Sequence, residues 1–227
     1  MTSASFRVGA LVVTALLTTT TLAGCSVVDL LAGGKKTASP SASATPTADP
    51  DTDAQADPDV AISFAAGADL DPSWSAQWGD PFLGSTDFSV YAADDGNGAW
   101  SYQENATGCI LGYWQGRVDG LDTSGGDSDA SDQLLAIQFD ADVAEVAPYA
   151  ADDITFASLS GPIAARSVAG ADSENGLTYI VAARAFAALG AGLVATLDCP
   201  EAIDVYTQWA SLQADPGAYT AVVGPLG

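Results

Sequence analysis

LTYIVAARAFAALGAGLVATLDC, residues 177–199, can fold in two ways, and the choice decides the architecture. Leu177, Tyr179 and Val181 alternate as they would along a half-buried strand, whereas the alanine-rich centre suits a helix. Gly190 and Gly192 break the tie, because each glycine inside a helix costs about 1 kcal/mol relative to alanine. The stretch therefore reads as a hairpin turning near Gly190-Ala191-Gly192. The same glycines begin a G-x-G-x-x-A dinucleotide pattern at Gly190–Ala195, but that signal needs a full helix behind it. Cys199-Pro200 follows too soon for one, so a tight turn is the better reading.

Working upstream, Phe88 to Ala92 alternates, Asp95-Gly96-Asn97-Gly98 is a hairpin turn signal, and Trp100 and Tyr102 continue the alternation on the return. Cys109 to Val118 carries Leu111 and Tyr113 on one face and Ile110, Trp114 and Val118 on the other, which predicts a strand buried on both sides. Asp119 to Ser128 is a loop of Gly, Ser and Asp. Behind it Leu135, Phe139 and Val143 recur every four residues, predicting a helix from about Asp129 to Phe139 or a little further. Ile154–Ser158 and Ile163–Val168 read as short strands. Downstream, Asp198-Cys199-Pro200-Glu201 has the form of a capping box with proline in the first turn. Ala202, Val205, Trp209 and Leu212 then share one helical face, and Tyr219, Ala221 and Val223 make a last strand. The expected class is α+β: a mainly antiparallel sheet packed with two or more helices and one disulfide.

Over about Pro81 to Val223 this order of elements resembles the Mog1/PsbP-like domains, which also occur in actinobacterial secreted lipoproteins. The resemblance implies an α+β domain compatible with a Cys109–Cys199 pairing, and it carries over no functional residue. A second resemblance sits at the N-terminus. Met1–Arg7 has one positive charge, Val8–Leu17 is apolar, and Leu22-Ala23-Gly24-Cys25 resembles the lipobox of bacterial lipoproteins. It implies a signal peptide over residues 1–24, cleavage before Cys25 and acylation of its thiol. Ten apolar residues fall short of the roughly 20 needed to cross a bilayer, so the expected topology is an anchor rather than a span. Residues 25–59, with TASPSASATPTADPDTDAQADPD at 37–59, lack the apolar surface to fold and read as a tether. Residues 60–227 read as one extracytoplasmic domain on the outer side of the cell membrane.

Charge and chemistry narrow the function. The chain carries 29 acidic residues against six basic ones, and −24 remains once Arg7 leaves with the signal peptide. Nucleic acid is excluded as a partner, because phosphate binding needs clustered Lys and Arg. Lys35 and Lys36 lie near the anchor, within reach of anionic headgroups. Two cysteines, Cys109 and Cys199, remain in an oxidising compartment, and a disulfide is expected.

Histidine is absent, so Ser-His-Asp and Cys-His catalysis and the usual zinc sites are excluded. Gly126-Asp127-Ser128-Asp129 is similar to the nucleophile block of GDSL-type esterases, lacks the base, and reads as an acidic loop. Asp49, Asp51 and Asp53 begin like an EF-hand loop that Ala54 and Val60 then break. Asp119, Asp122, Asp127, Asp129 and Asp132 are dense enough for a calcium site of another kind, against a solvated loop with a helix cap. Trp74, Trp78, Trp100, Tyr102, Tyr113 and Trp114 are either core or a stacking surface. Arg166 and Arg184 read as ion-pair partners or anion contacts, and Asn105-Ala106-Thr107 is a formal glycosylation sequon. No cofactor is implied. The expected function is a lipid-anchored, non-catalytic module binding an envelope protein or an apolar ligand. The alternatives are a carboxylate-based hydrolase of envelope glycans and a calcium-dependent surface domain.

Overall fold

A computed structural model describes residues 61–215 and 217–225. Residues 1–24, Cys25 and the tether, with Lys35, Lys36, Asp49, Asp51 and Asp53, lie outside the described residues. The stretch at 177–199 is a hairpin. Strands β7 (Leu177–Phe186) and β8 (Ala191–Pro200) pair in continuous antiparallel register from Leu177↔Pro200 to Phe186↔Ala191. A 3-10 turn at Ala187–Leu189 and a left-handed Gly190, φ 60°, close it, a conformation in which a Cβ would crowd the backbone.

Seven more strands extend this hairpin: β1 (Trp74–Trp78), β2 (Phe88–Ala92), β3 (Ala99–Glu104), β4 (Ile110–Arg117), β5 (Ala151–Ser158), β6 (Ile163–Asp172) and β9 (Thr220–Pro225). The sheet order is β1-β9-β5-β6-β7-β8-β4-β3-β2. Every neighbouring pair is antiparallel except β5 with β9. With helices α1 (Phe64–Gly67), α2 (Gly126–Gln138), α3 (Val143–Val146) and α4 (Val205–Ala214), this is an α+β fold of mostly β character.

Each face of the sheet has its own core. On one face α2 lies on β7, where Ala183 and Ala185 are small enough to let the helix approach. Leu134, Leu135, Val168, Val181 and Val194 fill this side. On the other face Leu111, Tyr113, Phe156, Ile180 and Leu197 are covered by Trp209 and Leu212 of α4 and by Trp78 of β1. The Cys109–Cys199 disulfide, with both cysteines fully buried, ties the ends of β4 and β8 across a sequence separation of 90 residues.

Four expectations change. The helix expected from Asp129 starts at Gly126, so Gly126-Asp127-Ser128-Asp129 is helical rather than loop. It stops at Gln138 because Asp140 takes a left-handed φ of 49°, and Val143 opens a separate turn. The capping box at Asp198 is absent: Asp198, Cys199 and Pro200 finish β8, held by pairing with β7 and by the disulfide. Asp204 is the true cap of α4, its carboxylate accepting the Thr207 N–H at 2.8 Å, and Ala202 lies outside the helix. In β4, Leu111 and Tyr113 are buried, whereas Ile110 and Trp114 are only half-buried. Strand β1, α1 and α3 had no counterpart in the expected elements.

Arg184 and Asp127 join these parts. Arg184 Nη2 donates to Asp127 Oδ2 at 2.7 Å and to the Ser63 carbonyl at 3.0 Å, while Nη1 reaches the Ala164 carbonyl at 3.3 Å. The guanidinium carbon lies 4.5 Å from the Phe64 ring centroid and 4.9 Å from that of Phe186. Gly67 abuts both charged groups, and a Cβ there would collide with the carboxylate and the guanidinium. Past the last β6–β7 pair, Ala183 with Arg166, polar groups of α2 take over the ladder. Ala185 N–H donates to Ser131 Oγ at 2.9 Å, and Ala187 N–H to Asp127 Oδ1 at 2.9 Å.

Truncating Arg184 strands Asp127 in the interior. Arg184→Ala is expected to lower unfolding free energy by about 3–5 kcal/mol, and the double variant Arg184→Met/Asp127→Leu to recover most of it. Guanidinium denaturation of the three proteins measures both.

Candidate functional site

The inner-face aromatics form a continuous row from core to surface. Trp209 stacks on Tyr219 at 4.0 Å between centroids, Tyr219 meets Tyr113 at 5.4 Å, and Tyr113 stacks on Trp100 at 5.5 Å and 12°. Register explains the last contact: Trp100 on β3 lies directly opposite Tyr113 on β4, and Tyr102 opposite Leu111. α4 covers the row at its Trp209 end, but β2 and β3 continue past the covering elements as the sheet edge. Trp100 and Tyr102 are therefore half-buried, whereas Tyr113 and Trp78 are buried.

A groove of about 420 Å³ opens there. Trp78, Trp100 and Tyr102 contribute aromatic surface, with Asp80, Asp94 and Gln115 as polar groups, and Val90, Ala92 and Ala93 bound it on the β2 side. Asp80 is held in place, accepting the Phe82 N–H at 3.2 Å and the Tyr102 hydroxyl at 2.8 Å. Burial, together with that carboxylate, pushes the Tyr102 phenol up to about 12. Asp94 accepts the Gly96 N–H at 2.8 Å at the mouth of the β2–β3 turn. In that turn Asp95 accepts N–H groups of Asn97 at 2.7 Å and Ala99 at 3.2 Å, which hold its carboxyl below the usual range. Gln115 Oε1 accepts the Trp78 N–H at 2.7 Å, and the Trp78 indole N–H donates to the Trp114 carbonyl at 2.9 Å.

The expected site residues scatter otherwise. Trp114 faces a second, more apolar groove of about 340 Å³ between β4 and α2, with Val118, Leu121, Leu134 and Ile137. Trp74 is half-buried against the core. The five aspartates considered for calcium are not gathered. Asp127 is buried on Arg184, and Asp132 is bound by Arg166 at 2.7 Å. Asp119 pairs with the exposed Arg117, and Asp122 accepts the Ser124 N–H. Among the described residues, no three acidic or cysteine side chains are brought together to hold a metal ion. Gly190 and Gly192 belong to the hairpin, with a strand and not a helix after them. Asn105 is exposed, its side chain donating to the Thr86 carbonyl at 3.1 Å.

All three arginines of the described region are thus engaged, Arg117 with Asp119, Arg166 with Asp132 and Asp152, and Arg184 with Asp127. No lysine accompanies them, and 23 acidic residues from Asp69 to Asp215 share the region. Nothing basic lines the groove.

Asp80, Asp94 and Gln115 were not among the expected site residues. Gln115 had a signal: it continues the Leu111, Tyr113 parity, placing a polar side chain on the buried face. Against known proteins, no family model matches the chain, and no curated protein matches it in sequence.

Asp198 sits on the α2 side of the sheet, opposite Ile110 and Tyr179 in register, and burial pushes its carboxyl up. Its folded pKa is above its unfolded value, so the stability this confers exists below about pH 4 and is lost as pH rises through the folded value. Asp198→Asn is expected to raise Tm at pH 7.5 and to leave it unchanged near pH 3.5. Thermal melts at the two pH values check this.

Proposed function

We propose that this chain is a lipid-anchored envelope protein whose domain, residues 60–227, is a non-catalytic binding module. Cys25 carries the anchor, residues 25–59 the tether, and the groove at the β2–β3 edge the ligand. The observation behind this reading is the groove itself, an aromatic floor stacked back into the core and flanked by fixed polar groups. Such a site is pre-organised, because the ring that meets the ligand is already packed on Tyr113. The buried Cys109–Cys199 disulfide supports an oxidising compartment. No helix among the described residues is long and apolar enough to cross a membrane.

Binding is favoured over hydrolysis for a chemical reason. A glycosidase pair needs one carboxylic acid with a raised pKa across a cleft from a second carboxylate. Among the described residues, the two carboxyl groups raised by burial are Asp127, in the ion pair, and Asp198, on the α2 side. Neither lines the groove.

Two measurements test the two halves. Metabolic labelling with an alkyne palmitate is expected to mark the wild type and not Cys25→Ser; equal labelling removes the anchor. Co-sedimentation of the full chain with purified cell-wall glycan is expected to weaken about tenfold in Trp100→Ala, the worth of one aromatic contact. Equal retention removes the groove as the binding site.

A further inference from the structure

Resting on the reading of the groove as the binding site, we infer that its occupant is a hydroxylated amine, most simply a free amino sugar, whose ammonium lies between the Trp100 and Tyr102 rings and the carboxylates of Asp80 and Asp94. Three independent features converge on that chemistry.

The first is uncompensated charge. Asp80 and Asp94 line the groove, and every arginine of the described region is already paired elsewhere. An anionic ligand would meet two carboxylates and no cation. The net charge of the surrounding domain, three arginines against 23 acidic residues, adds a field of the same sign. It also disfavours a second copy of this chain as the occupant.

The second is the floor. Aromatic faces carry negative potential and attract an ammonium, most strongly for tryptophan. Their flat apolar surface equally suits the C–H face of a sugar ring. Trp100 and Tyr102 supply two such rings side by side on one strand, fixed by Tyr113 and Phe82 behind them.

The third is the pattern of engaged atoms. Gln115 Oε1 accepts the Trp78 N–H, which orients the amide and leaves its Nε2 donor available to a ligand. That donor calls for a neutral oxygen on the ligand, near but distinct from the ammonium. The Tyr102 hydroxyl already donates to Asp80, which fixes the phenol as an acceptor toward the groove. An amine bearing hydroxyl groups satisfies both; a bare alkylammonium can donate to the phenol oxygen but offers nothing to the Gln115 donor.

The test uses the full chain and two probes of the same size, the glucosamine disaccharide with free amines and its di-N-acetylated form, titrated by calorimetry at physiological salt. The expected result is saturable one-to-one binding of the free amine, at least about tenfold tighter than the acetylated sugar and weaker as salt rises. Asp94→Asn and Asp80→Asn keep their acceptor oxygens for Gly96 N–H and Phe82 N–H. They are expected to remove the preference for the amine, while Asp122→Asn, outside the groove, leaves it intact. Equal affinity for both sugars overturns the ammonium assignment. So does binding of the amine that is non-saturable, or that Asp94→Asn and Asp122→Asn weaken alike, since that is diffuse attraction to an acidic surface. Absence of binding by either sugar also overturns it. None of the overturning outcomes bears on the Trp100→Ala co-sedimentation result, which tests the groove as a binding site separately.

Discussion

One buried charge pair holds three distant parts of the chain in register. Arg184 lies near the turn of the hairpin that organises the sheet, Asp127 opens the helix packed on that hairpin, and Ser63 caps the short helix α1 that precedes both. Removed from water, each group is driven toward neutrality: burial raises Asp127, and it lowers Arg184 to about 10. The guanidinium remains charged at neutral pH, and its partner must remain beside it. The remaining bonds of both side chains go to backbone groups, the Ser63 carbonyl of the entering segment, the Ala164 carbonyl of β6 and the Ala187 N–H of the hairpin turn, so helix, hairpin and entering segment have one mutual arrangement. Two aromatic rings flank the cation, and the bare Gly67 backbone lies against both charged groups.

From that fixed centre the two faces of the sheet diverge in chemistry. The helix side is built from small residues and aliphatic side chains, and its purpose is close approach: Ser131 and Asp127 replace the strand neighbour that β7 lacks beyond Arg166. The opposite side is built from rings. Each aromatic is oriented by the next, from Trp209 under α4 to Trp100 at the open edge, so the exposed ring inherits its orientation from the interior. A site on such a floor needs little ordering when a ligand arrives. Its polar groups are similarly restrained by N–H groups of neighbouring turns.

The elements legible in the sequence were those whose signal is local. Gly190 marked the hairpin and Asp95-Gly96-Asn97-Gly98 marked the β2–β3 turn, whereas the Leu135, Phe139, Val143 repeat pointed to α2 but ran past its end at Gln138. The misread positions are those where a distant partner overrides a local preference. Asp198 and Glu201 imitate a helix start, but ten paired residues on β7 hold that segment extended. Asp127 resembles one more solvated acid of a polar loop, and only Arg184, 57 residues away, reveals it as a core residue. The aromatic candidates could not be sorted into core and surface from spacing, because Trp78, Tyr113 and Trp100 lie on three strands whose sheet order no periodicity encodes.

The attachment of the first described residues has a mechanical meaning. Ile62 bridges Ile163 in parallel, donating to the Pro162 carbonyl and accepting the Ala164 N–H, and Arg184 grips the very next carbonyl, that of Ser63. A pull delivered through the residues before Ile62 enters the domain at β6 and the ion pair on β7, in the middle of the sheet, with β8, β4 and β3 between them and the β2 edge. Tension along the chain would therefore be borne by a clamp of backbone bonds backed by a buried charge, and spent before it could deform the Trp100 edge. The geometry separates the central strands that take strain from the edge that meets ligand.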